Sequence, residues 1–439
     1  MEWYWALLIL IGGAVFLMFL GLPVAFAFFG ANIVGALLFL GGVSGFVQVA
    51  RNVVDAVASF TLAPLVMFIL MGEILFHSGV AIRAIDAVER LVAKIPGRLA
   101  LAAVGGGVVF SALSGSQMAN TALLGSTLIP EMQRRGYHPS ISMGPIMAVG
   151  GVAMLIPPSN MAVLLGTISN IPISYLLIGG IIPGLMIGLG HAGFVLIRCV
   201  MNPGLAPVYE LPQMTLWERV RPFLVYVAPT LTLFVVVVGS IFAGIATPTE
   251  SAALGAVGAA ICAAGYRSLD LKVLDRSLRE TAKIAAMMLF IIAGSTTFTQ
   301  ILAFSGATRH LVSLVSQVNP EPLVVLLTML GILLLLGTIM DSISMMLLTV
   351  PFYMPIAQAL GIDTVWLGVL MLFAIEISGM TPPFGMVLFA MKGVAPPGTT
   401  MKMIYNAVTP FIIIELLLLC AIIAVPDLAT FLPSLLKSQ

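Results

Sequence analysis

The stretches LIPPSNMAVLLG (residues 155–166) and EISGMTPPFGMVLF (residues 376–389) each place two adjacent prolines in apolar sequence, Pro157-Pro158 and Pro382-Pro383. A proline inside a helix removes a backbone donor, and its ring clashes with the preceding turn. Unwound backbone at membrane depth is tolerated only where it is buried in protein or lines a wet cavity. We therefore predict two membrane helices that are each broken at a proline pair.

The composition places the rest of the chain in a lipid bilayer. Hydrophobic residues make up 60% of the 439 residues and charged residues only 8%, and the mean hydropathy is +1.14. Soluble domains carry about 25% charged residues. We therefore expect an all-α integral membrane protein. A net charge of +1 gives no field that would attract nucleic acid, so nucleic-acid binding is excluded.

Ten segments are apolar and long enough to cross a bilayer, which takes about 20 residues. Two of them contain the proline pairs and run over 141–171 and 362–395. The other eight are uninterrupted and lie at 5–22, 23–42, 60–77, 174–198, 222–245, 247–266, 284–304 and 403–425.

Two further apolar segments, 98–135 and 322–358, are too short for two crossings with a turn between them. Each has polar residues at its middle. These are Ser114-Gly115-Ser116-Gln117 in the first segment and Thr338 with Asp341-Ser342 in the second. We predict that each segment is a re-entrant hairpin whose polar tip lies near the bilayer centre.

The two halves of the chain match at an offset of about 225 residues. Because proline and glycine mark backbone geometry, agreement at these residues indicates one architecture used twice. The matched positions are Leu22-Pro23 with Thr247-Pro248, Pro130 with Pro355, Gly136 with Gly361, Pro157-Pro158 with Pro382-Pro383, and Pro172 with Pro397, with Ser78-Gly79 near Ser305-Gly306.

Each half then holds five transmembrane segments plus one re-entrant hairpin. Because five is odd, the second half must start on the opposite face, which predicts an inverted-topology repeat. Basic loops face the cytoplasm, and with both termini in the periplasm only three of the nineteen basic residues lie outside, namely Arg51, Arg309 and Lys437. The amphipathic stretches 80–95 and 307–318 are expected to lie along the interfaces.

The four breaks are expected to converge near the midplane, where half-helix ends and exposed carbonyls bind ions and solute. Hydroxyl, amide and carboxylate oxygens suit a hard monovalent cation, so we expect Na+ near Ser114 and Ser116, and near Thr338, Asp341 and Thr381. The candidate site residues are Ser114, Gly115, Ser116, Gln117, Asn120, Pro157, Pro158, Ser159, Asn160, Thr338, Asp341, Ser342, Ser344, Thr381, Pro382, Pro383 and Gly385.

Interpretations without ligand binding compete with the predicted ion and solute site. Small residues at the first tip also allow close helix packing without any ligand, and Asp341 could be a tip residue near water. Glu73, Glu376 and Glu415 are better explained by capping, snorkelling or helix-to-helix hydrogen bonds than by ion binding. Glu250, three residues after Thr247, is expected to form a helix cap.

The sequence lacks the motifs of several enzyme classes. The sequence has no G-x-x-x-x-G-K-[ST] motif for nucleotide hydrolysis and no H-E-x-x-H. Three distant cysteines and four scattered histidines predict neither a disulfide framework nor a metal site. The chain is therefore not expected to be an enzyme or to need a cofactor, and the energy for its function is expected to come from an ion gradient or from another subunit. The first apolar segment lacks the features of a cleaved signal peptide.

The motifs resemble those of the large membrane subunit of tripartite ATP-independent periplasmic (TRAP) transporters, the DctM family. The resemblance covers essentially the whole chain. It is carried by GLPVAFAFFG (21–30), FSALSGSQMANTALLGSTLIPEMQRRGY (110–137), LIPPSNMAVLLG (155–166), ATPTESAALGA (246–256), MDSISMMLLTVPFYMPI (340–356) and EISGMTPPFGMVLF (376–389).

This resemblance implies a Na+-driven importer of organic acids in the inner membrane. Its partners would be a four-helix membrane subunit of the DctQ type and a periplasmic substrate-binding protein of the DctP type. Family members often have serine where this chain has Gln117, which leaves open whether side chain or backbone meets the ion there.

The resemblance also implies an elevator mechanism, in which a transport domain slides against a scaffold. The first repeat would span 1–198, with scaffold helices in 5–42 and a transport part in 60–198. A cytoplasmic linker, 199–221, leads to the second repeat. That repeat spans 222–425, with scaffold helices in 222–266 and a transport part in 284–425, and is followed by a periplasmic tail at 426–439.

Two alternatives to a binding-protein-dependent importer stay open. A stand-alone Na+-coupled anion symporter of similar architecture would transport without a binding protein. A non-transporting membrane scaffold, or a subunit of a redox complex, would tolerate changes at the hairpin tips. The sequence does not identify the solute, because no Lys or Arg lies at either tip.

Overall fold

The computed structural model describes residues 2–91, 95–114, 116–207, 215–318 and 320–437. Within these ranges the regular secondary structure is entirely helical. Six of the described helices are long and apolar enough to cross a membrane by length and composition: Phe60–His77, Ile173–Met201, Leu216–Phe242, Leu271–Phe304, Ser342–Ala359 and Met401–Ala424.

The described part of the first half of the chain contains thirteen α-helices. A π-helical turn at Leu8–Gly12 joins the first two, and a 3-10 turn at Phe60–Leu62 precedes the fifth. The helices are α1 (Trp3–Leu7), α2 (Gly13–Phe19), α3 (Val24–Phe39), α4 (Val43–Val57), α5 (Ala63–His77), α6 (Val80–Leu91), α7 (Arg98–Ser114), α8 (Gln117–Arg134), α9 (Pro139–Ser142), α10 (Gly144–Val149), α11 (Asn160–Ser169), α12 (Ile173–Gly179) and α13 (Ile181–Met201).

Eleven α-helices follow among the described residues of the second half, with a π-helical turn at Phe223–Val227 between the first two of them. They are α14 (Leu216–Pro222), α15 (Ala228–Phe242), α16 (Pro248–Gly265), α17 (Leu271–Phe304), α18 (Ala307–Val318), α19 (Pro322–Leu336), α20 (Ser342–Ala359), α21 (Thr364–Gly379), α22 (Met386–Val394), α23 (Met401–Ala424) and α24 (Asp427–Lys437).

Both proline pairs interrupt a helix, as the sequence predicted. After α10, a 3-10 turn at Gly150–Met154 leads into Pro157-Pro158, and the helix resumes with α11. In the second half, α21 ends at Gly379 and α22 begins at Met386. Both Pro-Pro peptide bonds are cis. Residues 141–171 and 362–395 are therefore two half-helices each, joined by non-helical backbone.

Both predicted hairpin segments are pairs of helices joined by a short polar turn. In the first pair, the Ser116 side chain caps α8 by accepting the N–H of Ala119 at 3.3 Å. In the second pair, Asp341 caps α20. Polar caps at these turns satisfy helix N–H groups that lack a partner within the helix.

Some helix boundaries differ from the sequence-based expectation. Residues 43–57, which are part of no membrane span predicted from the sequence, form the amphipathic helix α4. Within this helix, Gln48 donates a hydrogen bond to Asn52 at 2.8 Å. Helix α17 begins at Leu271 instead of residue 284, because Asp270 caps it by accepting the N–H of Val273 at 2.7 Å. The expected C-terminal tail contains α24, which packs on α12.

The interior of the molecule is built around α21, which is buried from Leu367 to Ser378. It packs against α19, α20 and α23, and against the 3-10 turn that precedes the first proline pair. Helix α5 packs mainly against α16 and α17, and α17 in turn packs against α3 and α4. This packing brings both hairpin turns and both helix breaks into one region.

Candidate substrate and ion site

A cavity of 270 Å³ lies where the two hairpin turns and the two helix breaks meet. Helices α5 and α17 close its remaining sides. Its lining residues are Ile69, Glu73, Ser116, Gln117, Met118, Met154, Asn160, Met161, Ile284, Met287, Met288, Met340, Asp341, Ser342, Ile343, Ser378, Gly379, Met386 and Val387.

The first hairpin turn contributes Ser116 and Gln117 to the cavity. Gln117 is buried, and its Oε1 would lie 2.7 Å from a β-carbon on Gly379, so the turn reaches the end of α21. Asn120 is fully buried below the turn and donates through Nδ2 to the hydroxyl of Ser111. Ser114 ends α7, and Gly115 lies outside the described residues.

The first helix break contributes Asn160 to the cavity, whereas the predicted residues Pro157, Pro158 and Ser159 do not line it. The Ser159 hydroxyl donates to the carbonyl of Met154 at 2.7 Å and accepts the N–H of Ala162 at 3.1 Å, which fixes the start of α11. Asn160 follows directly and lines the cavity. Pro157 and Pro158 are buried, and Pro158 faces a separate apolar cavity.

The second hairpin turn is organised by Asp341. Its Oδ2 accepts the N–H groups of Ile343 and Ser344, each at 3.1 Å, and its Oδ1 accepts the Ser344 hydroxyl. Asp341 and Ser342 line the cavity, whereas Ser344 is buried beneath. The Thr338 hydroxyl donates to the carbonyl of Leu335 at 2.8 Å.

The second helix break meets the cavity through residues that the sequence analysis did not select. Ser378 and Gly379 line it. The predicted Thr381 donates its hydroxyl to the carbonyl of Ile377 at 2.8 Å. Among the predicted residues that follow, Pro383 accepts a hydrogen bond from Tyr405 at 2.9 Å, while Pro382 forms the cis bond and Gly385 precedes α22.

The charged side chains of the cavity lining are acidic. Its charged lining residues, as far as the structure describes them, are Glu73 and Asp341, and it has no basic side chain. Two buried amide oxygens, Asn120 Oδ1 and Asn160 Oδ1, accept no hydrogen bond from the described part of the chain. Buried oxygens without donors are costly unless a ligand satisfies them.

Glu73 and the methionines of the cavity lining are not among the site residues that the sequence analysis selects. Glu73 lies on α5 with its Oε2 3.1 Å from Nε2 of His77, and seven methionines line the cavity. Methionine is flexible and polarizable, so it fits irregular surfaces. Only tertiary packing selects these seven from the 26 methionines of the chain.

A profile of the family described as "Tripartite ATP-independent periplasmic transporter, DctM component" matches residues 11–428. The chain belongs to this family. Two relatives agree over most of their length with this DctM-type chain. The C4-dicarboxylate TRAP transporter large permease protein of Pseudomonas aeruginosa is 34% identical, over 85% of this chain and 86% of the relative. The sialic acid TRAP transporter large permease protein of Vibrio cholerae is 30% identical, over 95% and 96%.

Further relatives of the DctM-type chain are named for the transport of ectoine and isethionate, so the named solutes vary within the family. Among solved structures, the crystal structure of the Alcanivorax borkumensis YdaH transporter is similar with a TM-score of 0.65, covering 87% of this chain and 89% of that one. At 14% identity this likeness concerns the fold alone.

These comparisons confirm the resemblance drawn from the six sequence motifs. They identify the chain as a TRAP large permease, a multi-pass inner-membrane protein whose named relatives are permeases and not enzymes.

Proposed function

We propose that this permease imports a small organic acid anion, driven by a Na+ gradient and dependent on a periplasmic binding protein. The observation that supports this most is the central cavity, where two polar turns and two helix breaks present oxygen ligands and where the described lining includes no basic side chain. Half-helix ends in such cavities bind ions and solutes in secondary transporters.

Na+ coupling is supported by the chemistry of the lining. Na+ is a hard cation that oxygen ligands suit. The unsatisfied Oδ1 of Asn120 lies in α8 below the first turn, that of Asn160 at the first helix break, and the carboxylate of Asp341 at the second turn. We propose one Na+ at each turn, where it would offset the acidic lining and attract an anionic solute.

The solute is proposed to be small because the cavity holds 270 Å³. The relatives named for C4-dicarboxylates, sialic acid, ectoine and isethionate do not agree on one compound. The described lining residues include no arginine that could fix a carboxylate, so we propose that backbone donors and bound Na+ hold the anion.

The proposed partners are a small DctQ-type membrane subunit and a DctP-type periplasmic binding protein. The family description, "tripartite", agrees with a system of three proteins. The alternative is a stand-alone Na+-coupled anion symporter that needs no binding protein, and both termini are proposed to be periplasmic in either case.

Uptake into liposomes that contain the permease and its partners tests this proposal. We expect accumulation of solute only with an inward Na+ gradient and with the binding protein present. Accumulation that survives collapse of the Na+ gradient would reject Na+ coupling. Na+-driven accumulation without binding protein would favour the stand-alone symporter.

We further propose an elevator movement between two inverted repeats, with the transport and scaffold boundaries given above. Cysteine crosslinks test this movement in a variant without native cysteines. Phe28 on α3 of the proposed scaffold and Gly294 on α17 of the proposed transport part lie in direct contact, because a β-carbon on Gly294 would stand 3.1 Å from Cβ of Phe28. Oxidising a Phe28→Cys/Gly294→Cys pair should stop uptake reversibly.

The matched control joins two parts of the proposed transport domain. A β-carbon on Gly125 would lie 2.5 Å from Cγ2 of Val394, so these two positions are close enough to be crosslinked. The oxidised Gly125→Cys/Val394→Cys pair should retain uptake. Equal uptake by both crosslinked pairs would contradict the elevator proposal.

A further inference from the structure

Three titratable side chains that the proposed mechanism does not use lie together in the interior. They are His191 on α13, Glu376 on α21 and Glu415 on α23, and the solvent exposure of each is 0%. Charged groups inside a membrane protein are costly and are retained for a reason. The charge of this cluster must therefore be neutralised.

The three groups are in direct contact. Nε2 of His191 lies 3.0 Å from Oε1 of Glu415, and the carboxyl of Glu415 is within hydrogen-bond reach of the carboxyl of Glu376. No other donor from the described residues reaches the four carboxyl oxygens, and Nδ1 of His191 also has no partner there.

The other ionisable groups on the surrounding helices are engaged elsewhere or exposed. Tyr353 donates to the carbonyl of Met329 at 2.8 Å, and Tyr405 to that of Pro383 at 2.9 Å. Further groups on these helices are Lys392, which donates to the Thr399 carbonyl, Arg198, over the ring of Phe194, Cys199, buried beside Gly97, Arg98, buried at the start of α7, the partly buried Tyr175, and the exposed Asp363, Lys402, Cys420 and Asp427.

Neither a metal ion nor a second negative charge suits this cluster. In the described part of the chain, no group of three or more His, Cys, Asp or Glu residues is arranged to hold a metal. A β-carbon on Gly151 would lie 1.9 Å from Oε1 of Glu376, so the carboxyl is tightly packed. Two adjacent carboxylates in a dry interior cannot both ionise without compensation, whereas a proton occupies no volume.

We propose that Glu376, Glu415 and His191 form a proton-binding site that is separate from the Na+ sites. Glu376 is a carboxylic acid that donates its O–H to a Glu415 oxygen. A second proton is shared between Glu415 and Nε2 of His191, so the cluster as a whole is neutral. With both protons bound, each buried carboxyl has a hydrogen-bond partner.

The location of this site connects it to the central cavity. Glu376 packs on Gly151, and the neighbouring Gly150 packs on Gln117 of the first hairpin turn. In the other direction along α21, Ser378 and Gly379 line the cavity. Loss of the Glu376 proton would place an uncompensated charge one layer behind the cavity wall.

Infrared spectroscopy of the purified full-length protein in lipid, at a pH of about 7, tests the proposal without Na+, solute or partners. We expect a C=O stretch of a protonated carboxylic acid. It should disappear in Glu376→Gln and shift in Glu415→Gln. The exposed Glu280, which pairs with Lys283 at 2.7 Å, supplies the control: Glu280→Gln should leave the band unchanged.

The proposal is overturned if the wild-type protein has no such band, or if the band is the same in both cluster variants. Should a variant fail to fold, wild-type protein made with carbon-13 carboxyl-labelled glutamate decides the matter. The band must then move with the label, and a band that stays in place contradicts the assignment to glutamate. Because this measurement needs no transport, its result is independent of whether Na+ drives uptake.

Discussion

Gly150, before the first proline pair, lies directly against Gln117 in the turn of the first hairpin. A β-carbon on this glycine would stand 2.9 Å from both Cγ and the carbonyl oxygen of Gln117. The second half has a similar contact, because a β-carbon on Gly337 would lie 1.9 Å from Oγ of Ser378. In both halves, therefore, a glycine allows a hairpin and a broken helix to pack closely.

Gly150→Ala is expected to push the first hairpin turn away from the helix break. The added methyl group meets backbone as well as side chain, and overpacking of this kind costs about 1–3 kcal/mol. The melting temperature in detergent should fall and uptake should drop with it. Gly193→Ala on α13 is the matched control, because a β-carbon there meets nothing within 4 Å. Equal melting temperatures of both variants would show that the hairpin turn can move away from Gly150 without a loss of folding free energy.

The two helix breaks show how much of this site the sequence predicts. Adjacent prolines cannot continue a helix, so the breaks at Pro157-Pro158 and Pro382-Pro383 followed from local chemistry alone. The cap at Thr247-Glu250 was equally local and is confirmed, with the Thr247 N–H donating to Glu250 at 2.7 Å.

The sequence analysis named helix-to-helix hydrogen bonds among the expected roles of Glu376 and Glu415, and Glu415 does lie 3.0 Å from His191 on another helix, but which residues pair depends on tertiary packing. His191, Glu376 and Glu415 come from three helices and have no spacing in the sequence that would associate them. Ser378 and Gly379 line the cavity only because α21 ends beside the first hairpin turn. Helix α4 was missed because its polar residues break the run of apolar sequence on which the membrane spans were chosen.

Asp341→Asn should weaken Na+ activation of uptake without unfolding the second hairpin. Asparagine keeps an oxygen that can cap α20, while the carboxylate charge is lost. We expect the Na+ concentration for half-maximal uptake to rise about tenfold, which corresponds to about 1.4 kcal/mol.

Asp363→Asn is the control for this experiment. Asp363 also caps a helix, accepting the N–H of Trp366 at 2.9 Å, but at the exposed start of α21, away from the cavity. An unchanged Na+ response in Asp341→Asn, or the same change in both variants, would remove Asp341 from the proposed ion site.

Glu89 on helix α6 should make the stability of the protein depend on pH. Burial raises the pKa of Glu89 above its usual value, although Arg135, 3.4 Å away, opposes the shift. Because the folded-state pKa is the higher one, the Glu89 contribution to stability is complete at low pH and is lost as pH rises through that pKa.

The melting temperature of the wild type minus that of Glu89→Gln should therefore increase as pH is lowered from about 8 to about 5. Asp86→Asn should change in the same direction, because burial also raises the pKa of Asp86. If the difference in melting temperature instead grew with rising pH, the ion pair with Arg135 would stabilise the charged form of Glu89 by more than burial destabilises it.

Asn160 and Asn32 allow ion binding to be separated from stability. Both side chains are buried, and in both the Oδ1 atom lacks a donor among the described residues. Asn160 lines the central cavity, whereas Asn32 on α3 donates through Nδ2 to the carbonyl of Gly294 at 2.7 Å, away from it. Leucine has a similar size, so the polar function is the main change at each position.

Asn160→Leu is expected to abolish Na+ activation while the melting temperature stays near that of the wild type, because it removes an unsatisfied acceptor. Asn32→Leu should keep Na+ activation but lose about 1–3 kcal/mol, because the Gly294 carbonyl loses its donor. Uptake at a series of Na+ concentrations and thermal unfolding of the same preparations measure both effects. If Asn160→Leu were instead the destabilised variant with normal Na+ activation, the buried amide would be a packing element and the first Na+ site would have to lie elsewhere.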